Sequence, residues 1–306
     1  MPMSGHVLYN FDTISKLMFY LGVQCQDNPL IAMMKYSPEN VYRWNPGDQI
    51  TLNFFKISFK TSFSGMVRYG QKSYGFKDGG LAFIAPHQAL TVSADSNVYE
   101  GYSLYFHADL LRNYPLEGTI KNYNFFHYST SEALSLSGKE KKVVASLFHA
   151  ISEELLTDSD LFSQDILISQ LEQLLNYSNR FYHRQFITRK KVHHSLINKL
   201  DNALEKYLHD NMPLTQGLPT VQYFADQLNI TAHYLSDILR TLSGISTQQY
   251  IQSKLIETAK ERLLSRNATV ADVAYELGFA YPQSFSKMFK KHTGQSPLQY
   301  KKMINY

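Results

Sequence analysis

The stretch Val221-Gln-Tyr-Phe-Ala-Asp-Gln-Leu-Asn-Ile230 has a second version of itself at Val270-Ala-Asp-Val-Ala-Tyr-Glu-Leu-Gly-Phe279. The two copies are 49 residues apart as far as Asn229 and Gly278. Beyond that point Leu235, Ile238, Leu239 and Gly244 recur 50 residues later as Phe285, Met288, Phe289 and Gly294. The second copy therefore carries one extra residue in its turn. Matched apolar, small and turn positions mark a repeated supersecondary unit. Thr220 and Thr269 stand where helix N-caps belong, directly before an apolar-periodic run. Val221, Phe224, Ala225 and Leu228 fall at i, i+3, i+4 and i+7, one face of a helix. Asn229 and Gly278 are residue types that tolerate positive φ at a sharp helix end. The pattern predicts helix–turn–helix units over about 220–243 and 269–293. The second helix of such a unit is the one that lies in the DNA major groove. The alternative is a pair of packed helical hairpins, as in an α-solenoid, but two copies are too few to stack.

Between the copies, Ser246-Thr-Gln-Gln249 is a capping box opening a long helix with Ile251, Leu255, Ala259 and Leu263 on its buried stripe. The pattern carries it to about residues 265–267, roughly 20 residues or ~30 Å. A strut of that length approximates one turn of DNA, about 34 Å, and would set two reading helices in successive grooves. Upstream, Ile197, Leu200, Leu204, Tyr207 and Leu208 share a helix face that ends near Pro213. The segment His183–His194 breaks the periodicity and concentrates charge. The expected organisation is a domain over 1–183, a linker over 184–194 and a second domain over 195–306.

The N-terminal half reads differently. Phe55, Ile57 and Phe59 alternate with Lys56, Ser58 and Lys60, the period of a half-buried strand. Gly65, Gly70, Gly75 and Gly79-Gly80 punctuate the following segments, Leu81–Ala85 is a short apolar strand before Pro86, and Leu104 and Phe106 alternate with Tyr105 and His107. Short strands with frequent glycine turns over 50–107 point to a small barrel or sandwich. Two helices follow. Ser137-Gly-Lys-Glu140 caps the first, with Val144, Leu147, Phe148, Ile151 and Leu155 on one face. The second carries Leu167, Leu171, Leu174 and Leu175. That apolar face is either sandwiched within its own domain or a seam for a second subunit.

The totals set bounds. The 306 residues suffice for two cored domains. No apolar run is long enough to cross a bilayer, no export signal is visible at the N-terminus, and Cys25 is the only cysteine. These point to a reducing, cytoplasmic setting with no membrane partner. The net charge of +4 is uneven: from Arg189 onward 15 Lys/Arg face 9 Asp/Glu, while residues 1–188 hold 15 against 17. A basic half beside a slightly acidic one suits a nucleic-acid-binding part joined to a part that does not bind it.

Catalytic signatures are missing. His87, His107, His127 and His149 are scattered singly, and there is no His-Glu-x-x-His, Gly-x-Ser-x-Gly or phosphate-cradling glycine loop. No catalytic residue, metal or cofactor is expected. A barrel can instead hold a ligand in its mouth. The aromatics Tyr36, Tyr42, Trp44, Tyr69, Tyr74, Tyr99, Tyr102 and Tyr105 supply apolar faces with polar handles. Tyr36, Trp44, Tyr69, Tyr74, His87 and Tyr102 are the pocket candidates.

Gly278-Phe279, Phe285-Ser-Lys-Met-Phe289-Lys-Lys, Gly294, Pro297 and Tyr300-Lys resemble the signature of the AraC/XylS family of bacterial transcription regulators. Leu235, Gly244 and Gln249-Tyr250-Ile251 extend the likeness through the first copy and the connecting helix. In the N-terminal half, Gly75-Phe-Lys-Asp-Gly, Leu81-x-Phe83 and Pro86-His-Gln88 are similar to the cupin-like sensor domain of arabinose-regulator-like members. The resemblance implies an α+β two-domain chain: a cupin-like β-barrel with two following helices, then an all-α domain with two helix–turn–helix motifs joined by a long helix.

It also implies double-stranded DNA as partner, a homodimer, contact with RNA polymerase and a small-molecule effector. The groove-facing sites it implies are His233, Ser236 and Asp237 in the first reading helix. In the second they are Pro282, Gln283, Ser284, Ser286 and Lys287. Gln283 has the geometry for adenine N6/N7 and Lys287 for guanine O6/N7, or Lys287 contacts phosphate only. Arg240, Lys290 and Lys291 suit phosphates. Asp237 and Pro282 depart from the family pattern, which has basic or polar readers there. A ligand-independent regulator whose barrel only dimerises, and a metal-dependent cupin enzyme with a DNA-binding tail, are the alternatives.

Overall fold

The computed structural model describes residues 7–24, 28–37, 44–45, 47–64, 66–69, 72–75, 79–92, 98–265 and 267–304. The side chains of 62–64, 66–69, 72–75, 98–99, 130, 190–191 and 304 are outside that description. The chain divides into two compact units, Met1–Gln185 and Phe186–Tyr306.

Among the described residues the first unit has ten strands: β1 (Leu8–Phe11), β2 (Ile31–Lys35), β3 (Gln49–Leu52), β4 (Phe55–Ser64), β5 (Met66–Tyr69), β6 (Lys72–Gly75), β7 (Gly80–Ile84), β8 (Leu90–Thr91), β9 (Val98–Phe106) and β10 (Leu134–Ser135). They form a five-stranded sheet in the order β10-β7-β4-β9-β2, a three-stranded sheet β1-β3-β8 and the hairpin β5-β6. The five-stranded sheet is antiparallel throughout. The described ladders do not close into the expected ring: β2 and β10 each pair on one side only. A barrel needs its edges joined, and the two-residue β10 offers too short an edge to join.

Among the described residues this unit also has four α-helices: α1 (Ile14–Leu21), the short α2 (Pro115–Thr119), α3 (Gly138–Leu156) and α4 (Ser163–Thr188), whose last turn crosses the division between the units. The capping box read at Ser137 and Glu140 is present. One face of the large sheet carries Phe55, Ile57, Phe59, Phe83, Leu104 and Phe106. It packs on α3 and α4 through the Phe59–Phe148 and Phe83–Tyr182 ring pairs. The other face is covered as well. Tyr105, Ala32 and Met34 join α1, Phe11 and Leu52 in a separate apolar cluster. The alternation at Leu104–Tyr105–Phe106 is therefore not half-buried: Tyr105 is only 2% exposed, because β9 is an inner strand of a sheet covered on both sides.

Leu167, Leu171, Leu174 and Leu175 on α4 are all buried within the single chain. Of the two readings of this face, their burial favours the one in which it is sandwiched within its own domain. The apolar stripe was wide because α4 is itself sandwiched.

The second unit is all-helical: α5 (Lys190–His209), α6 (Met212–Gln216), α7 (Val221–Leu228), α8 (Ala232–Ser243), α9 (Thr247–Leu263), α10 (Val270–Glu276), α11 (Pro282–Thr293) and α12 (Pro297–Ile304). The stretch 184–194, read as a linker, is helical on both sides of Arg189. One apolar cluster runs through α5, α7, α8, α9, α10 and α11, and includes Leu204, Phe224, Leu235, Leu255, Val273 and Phe285. The strut α9 has 17 residues, or about 25 Å. That is shorter than the sequence reading, because the helix ends at Leu263 rather than at 265–267.

Candidate nucleic-acid interface

The first helix of each copy is capped at both ends by matching hydrogen bonds. Thr220 accepts from the Tyr223 N–H and Thr269 from the Asp272 N–H, each at 3.1 Å. At the other end Asn229 donates to Asp226 O and Ile230 to Ala225 O, at 3.1 and 3.0 Å. Forty-nine residues on, Gly278 donates to Tyr275 O and Phe279 to Ala274 O, at 2.9 and 3.0 Å. This crossed pair of bonds closes a helix with a left-handed residue after it, and Asn229 and Gly278 have φ of 53° and 87°. The second helices match too. α8 and α11 each have 12 residues and end on a left-handed glycine, Gly244 or Gly294.

Buried side chains fix how each reading helix is turned. Leu235, Ile238 and Leu239 of α8 and Phe285 and Phe289 of α11 are fully buried. Of the residues expected to read bases, His233, Gln283, Ser284 and Lys287 are exposed, while Ser236, Asp237, Pro282 and Ser286 are half-buried. Ser236 turns its hydroxyl back on its own helix, donating to Ala232 O at 2.8 Å, and accepts from Thr247 Oγ1 at 3.4 Å. Pro282 occupies the first turn of α11, where a missing N–H has no helical partner to lose. Arg240, Lys290 and Lys291, expected on phosphates, are exposed and lie in the last turns of their helices, where a cation also complements the helix dipole.

Sequence reading missed Tyr281. It is the N-cap of α11, makes no side-chain capping bond, and is 68% exposed. The matching position in the first copy is Thr231, which caps α8 by accepting from the Tyr234 N–H at 3.2 Å. An aromatic where the repeat has a capping threonine was the available signal. The repeat also runs further than its first reading. Ser296 and Gln299 reproduce the Ser246–Gln249 capping contacts 50 residues on, at the start of α12.

Polar contacts brace the strut. Arg262 near the end of α9 donates to Glu276 Oε2 on α10 at 3.1 Å and to Leu208 O on α5 at 3.2 Å. Tyr250 at its start donates to Asp201 of α5 at 2.7 Å, and burial, helped by that carboxylate, pushes the phenol above its ordinary range. His193 is buried with Nδ1 2.9 Å from Phe186 O, its ring edge-on to Phe186. Burial depresses its pKa.

Of the described pocket candidates, Tyr36 and Trp44 pack against one apolar cluster, while His87 and Tyr102 lie elsewhere. Trp44 lies edge-on to Tyr9 and Phe11 and tilted against Tyr20. His87 is an exposed turn residue at φ 65°. Tyr102 lies near Phe148 on the helix-covered side, whereas Tyr36 bonds Ser103 at 2.5 Å. The side chains of Tyr69 and Tyr74, and all of residues 76–78 in the Gly75–Gly79 turn, are outside the described residues. Among the described residues no group of three or more His, Cys, Asp or Glu is placed to hold a metal ion, and no helix is long and apolar enough to cross a membrane.

Comparison with known families agrees with this division. Residues 54–175 match the family described as AraC-like ligand binding domain, and residues 224–303 match a helix-turn-helix domain. The chain thus carries two separate regions of AraC-type likeness, one resembling a ligand-binding domain and one a helix-turn-helix domain. The raffinose operon transcriptional regulatory protein RafR of Pediococcus pentosaceus is 32% identical over 103 residues, 34% of this chain and 36% of that protein. An uncharacterized HTH-type transcriptional regulator of Staphylococcus aureus (strain MSSA476) is 24% identical over 179 residues, 58% of this chain. The match spans 22% of that relative's length. The solved C-terminal domain of AraT, a response regulator from Geobacillus stearothermophilus, is 28% identical, with a TM-score of 0.30 over 34% of this chain and 84% of that one.

Proposed function

We propose that this chain is a sequence-specific DNA-binding transcription regulator whose N-terminal unit binds a small effector, and that it is not an enzyme. The observation that carries the reading is the repeated helix–turn–helix on one shared core. A continuous core through both copies and the strut holds two reading helices in one fixed relation. The strut alone, at about 25 Å, is shorter than the DNA pitch of about 34 Å, and helix widths of about 10 Å at its ends make a one-turn spacing accessible.

In this reading His233, Gln283, Ser284 and Lys287 supply exposed base-edge donors and acceptors, joined by the half-buried Ser236, Asp237, Pro282 and Ser286. Arg240, Lys290 and Lys291 take phosphates. The Asp237 carboxylate accepts among major-groove base edges only from the amino groups of cytosine N4 and adenine N6. Homodimerisation and contact with RNA polymerase extend the reading; sedimentation and purified transcription assays test them separately.

The deciding experiment measures affinity of the full chain for duplex DNA across a salt series. Counterion release predicts a linear fall of log affinity with log salt. A flat response from low to moderate salt refutes the reading. Metal analysis of the purified protein tests the enzyme alternative, which stoichiometric iron, manganese or nickel would revive.

A further inference from the structure

The face of the large sheet turned away from α3 and α4 changes character along β4. At one end Lys56 is flanked by Ile84 and Tyr105. Its ammonium lies 5.6 Å from the Tyr105 ring centroid. Two residues on, Ser58 is flanked by Ala82 and Ser103, and both serines are buried. Two further on, Lys60 is flanked by Gly80 and Gly101. Tyr36, which follows β2, reaches the same rows: its N–H donates to Gly101 O at 3.0 Å and its hydroxyl bonds Ser103.

The neighbours of Lys60 across both ladders thus have no side chains, and those of Ser58 have only small ones. Lys56 and Lys60 start about 13 Å apart at the Cα atoms, and flexible four-carbon stems let their ammonium groups converge over the small rows. Both lysines are half-buried. Burial first, and the Lys56 charge second, bring the Lys60 ammonium down to about 7. Ala32, Met34 and Tyr105 on this face belong to the α1 cluster and Tyr36 packs against it, and Ser58, Ser103 and Lys60 continue the face beyond that cluster as a polar stretch.

We propose that this patch is the effector site and that its ligand is a small hydroxylated anion, a carboxylate or phosphate. Lys60 and Lys56 hold the anionic group, and Ser58, Ser103, Tyr36 and Tyr105 order its hydroxyls. The assignment rests on the reading of the N-terminal unit as a sensor. An anion over the two lysines favours the charged form of each, so its binding near neutral pH draws protons onto the protein.

The test is calorimetric titration of the full chain with glucose 6-phosphate, gluconate, inorganic phosphate and neutral glucose, each in two buffers of different ionisation enthalpy at pH 7.5. The expected result is saturable binding of glucose 6-phosphate or gluconate with fractional proton uptake, and none of glucose. Lys60→Gln should weaken binding at least tenfold and abolish the uptake, and Lys60→Arg should restore affinity without it. The wild-type uptake stands as evidence should a variant fail to fold. Glucose binding as tightly as its phosphate overturns the anion assignment and leaves a sensor standing. Binding without uptake, anion binding unchanged in Lys60→Gln, or no binding by any probe overturns it too. Salt-dependent duplex binding by the same samples reads the regulator assignment independently.

Discussion

Gly278→Ala separates the two copies of the repeat by energy. Gly278 and Asn229 hold the same place and both have positive φ. A left-handed conformation costs an ordinary L-residue about 1–2 kcal/mol. At Gly278 a second cost is added: a Cβ there would lie 2.6 and 2.7 Å from C and O of Gly217 and 2.9 Å from N of Leu218. These are backbone atoms, and Gly217 O is held by the Tyr207 hydroxyl at 3.1 Å, so the obstruction cannot swing aside. Forced overpacking of this kind costs about 1–3 kcal/mol, giving a total of about 2–5 kcal/mol. Gly244 and Gly294 are the internal controls. Their φ values are 76° and 81°, but nothing lies within 4 Å of an added Cβ, so each Gly→Ala there costs about 1–2 kcal/mol. The assay is hydrogen exchange of the buried amides of α7, α8, α10 and α11 in the full chain, which reads this unit without the other. A Gly278→Ala loss within about 0.5 kcal/mol of Gly294→Ala would show that the turn does not pack against the Gly217 loop.

Three further outcomes are expected. Phe285→Ala, at a fully buried site in the shared core, should cost about 3–5 kcal/mol and lower amide protection in both copies; loss confined to the second copy would contradict a single core. His193 has a folded pKa held below its unfolded value, so the unfolded chain binds more protons and stability falls as pH drops below about 6.5. Unfolding midpoints of wild type and His193→Gln between pH 7.5 and 5.5 check this, and equal pH slopes would remove His193 as the cause. Lys287→Ala should relax preference at one base pair by about 1–3 kcal/mol, whereas Lys290→Ala should lower affinity across all sequences and reduce the salt slope by about 1. An unchanged binding motif in the first variant would assign Lys287 to phosphate.

Much of the helical unit was legible because its signals are local. Caps at Thr220, Thr269 and Ser246 and left-handed residues at Asn229 and Gly278 are written in residue type. Their spacing survives folding unchanged. The β-rich unit was legible in kind but not in closure, since strand pairing depends on residues far apart in sequence. Period-two alternation marked β4 correctly, yet it assumed one wet face. Tyr105 is buried on the second face because α1 and the small sheet cover it, and no local pattern reports such a cover. The leucines of α4 left two readings open for the same reason: an apolar stripe states that something covers it, never what.

By itself, then, the chain determined that a cap–helix–turn–helix unit occurs twice, which faces of those helices are apolar, and that a β-rich half precedes them. Those properties follow from backbone preference and side-chain periodicity within a few turns. Tertiary structure alone decided that both helix–turn–helix copies share one core, that Gly278 must be glycine because the Gly217 loop presses on it, and that Lys56 and Lys60 stand over rows of small residues. Each of these is a meeting of segments distant in sequence, fixed by close packing rather than by any one segment's preference.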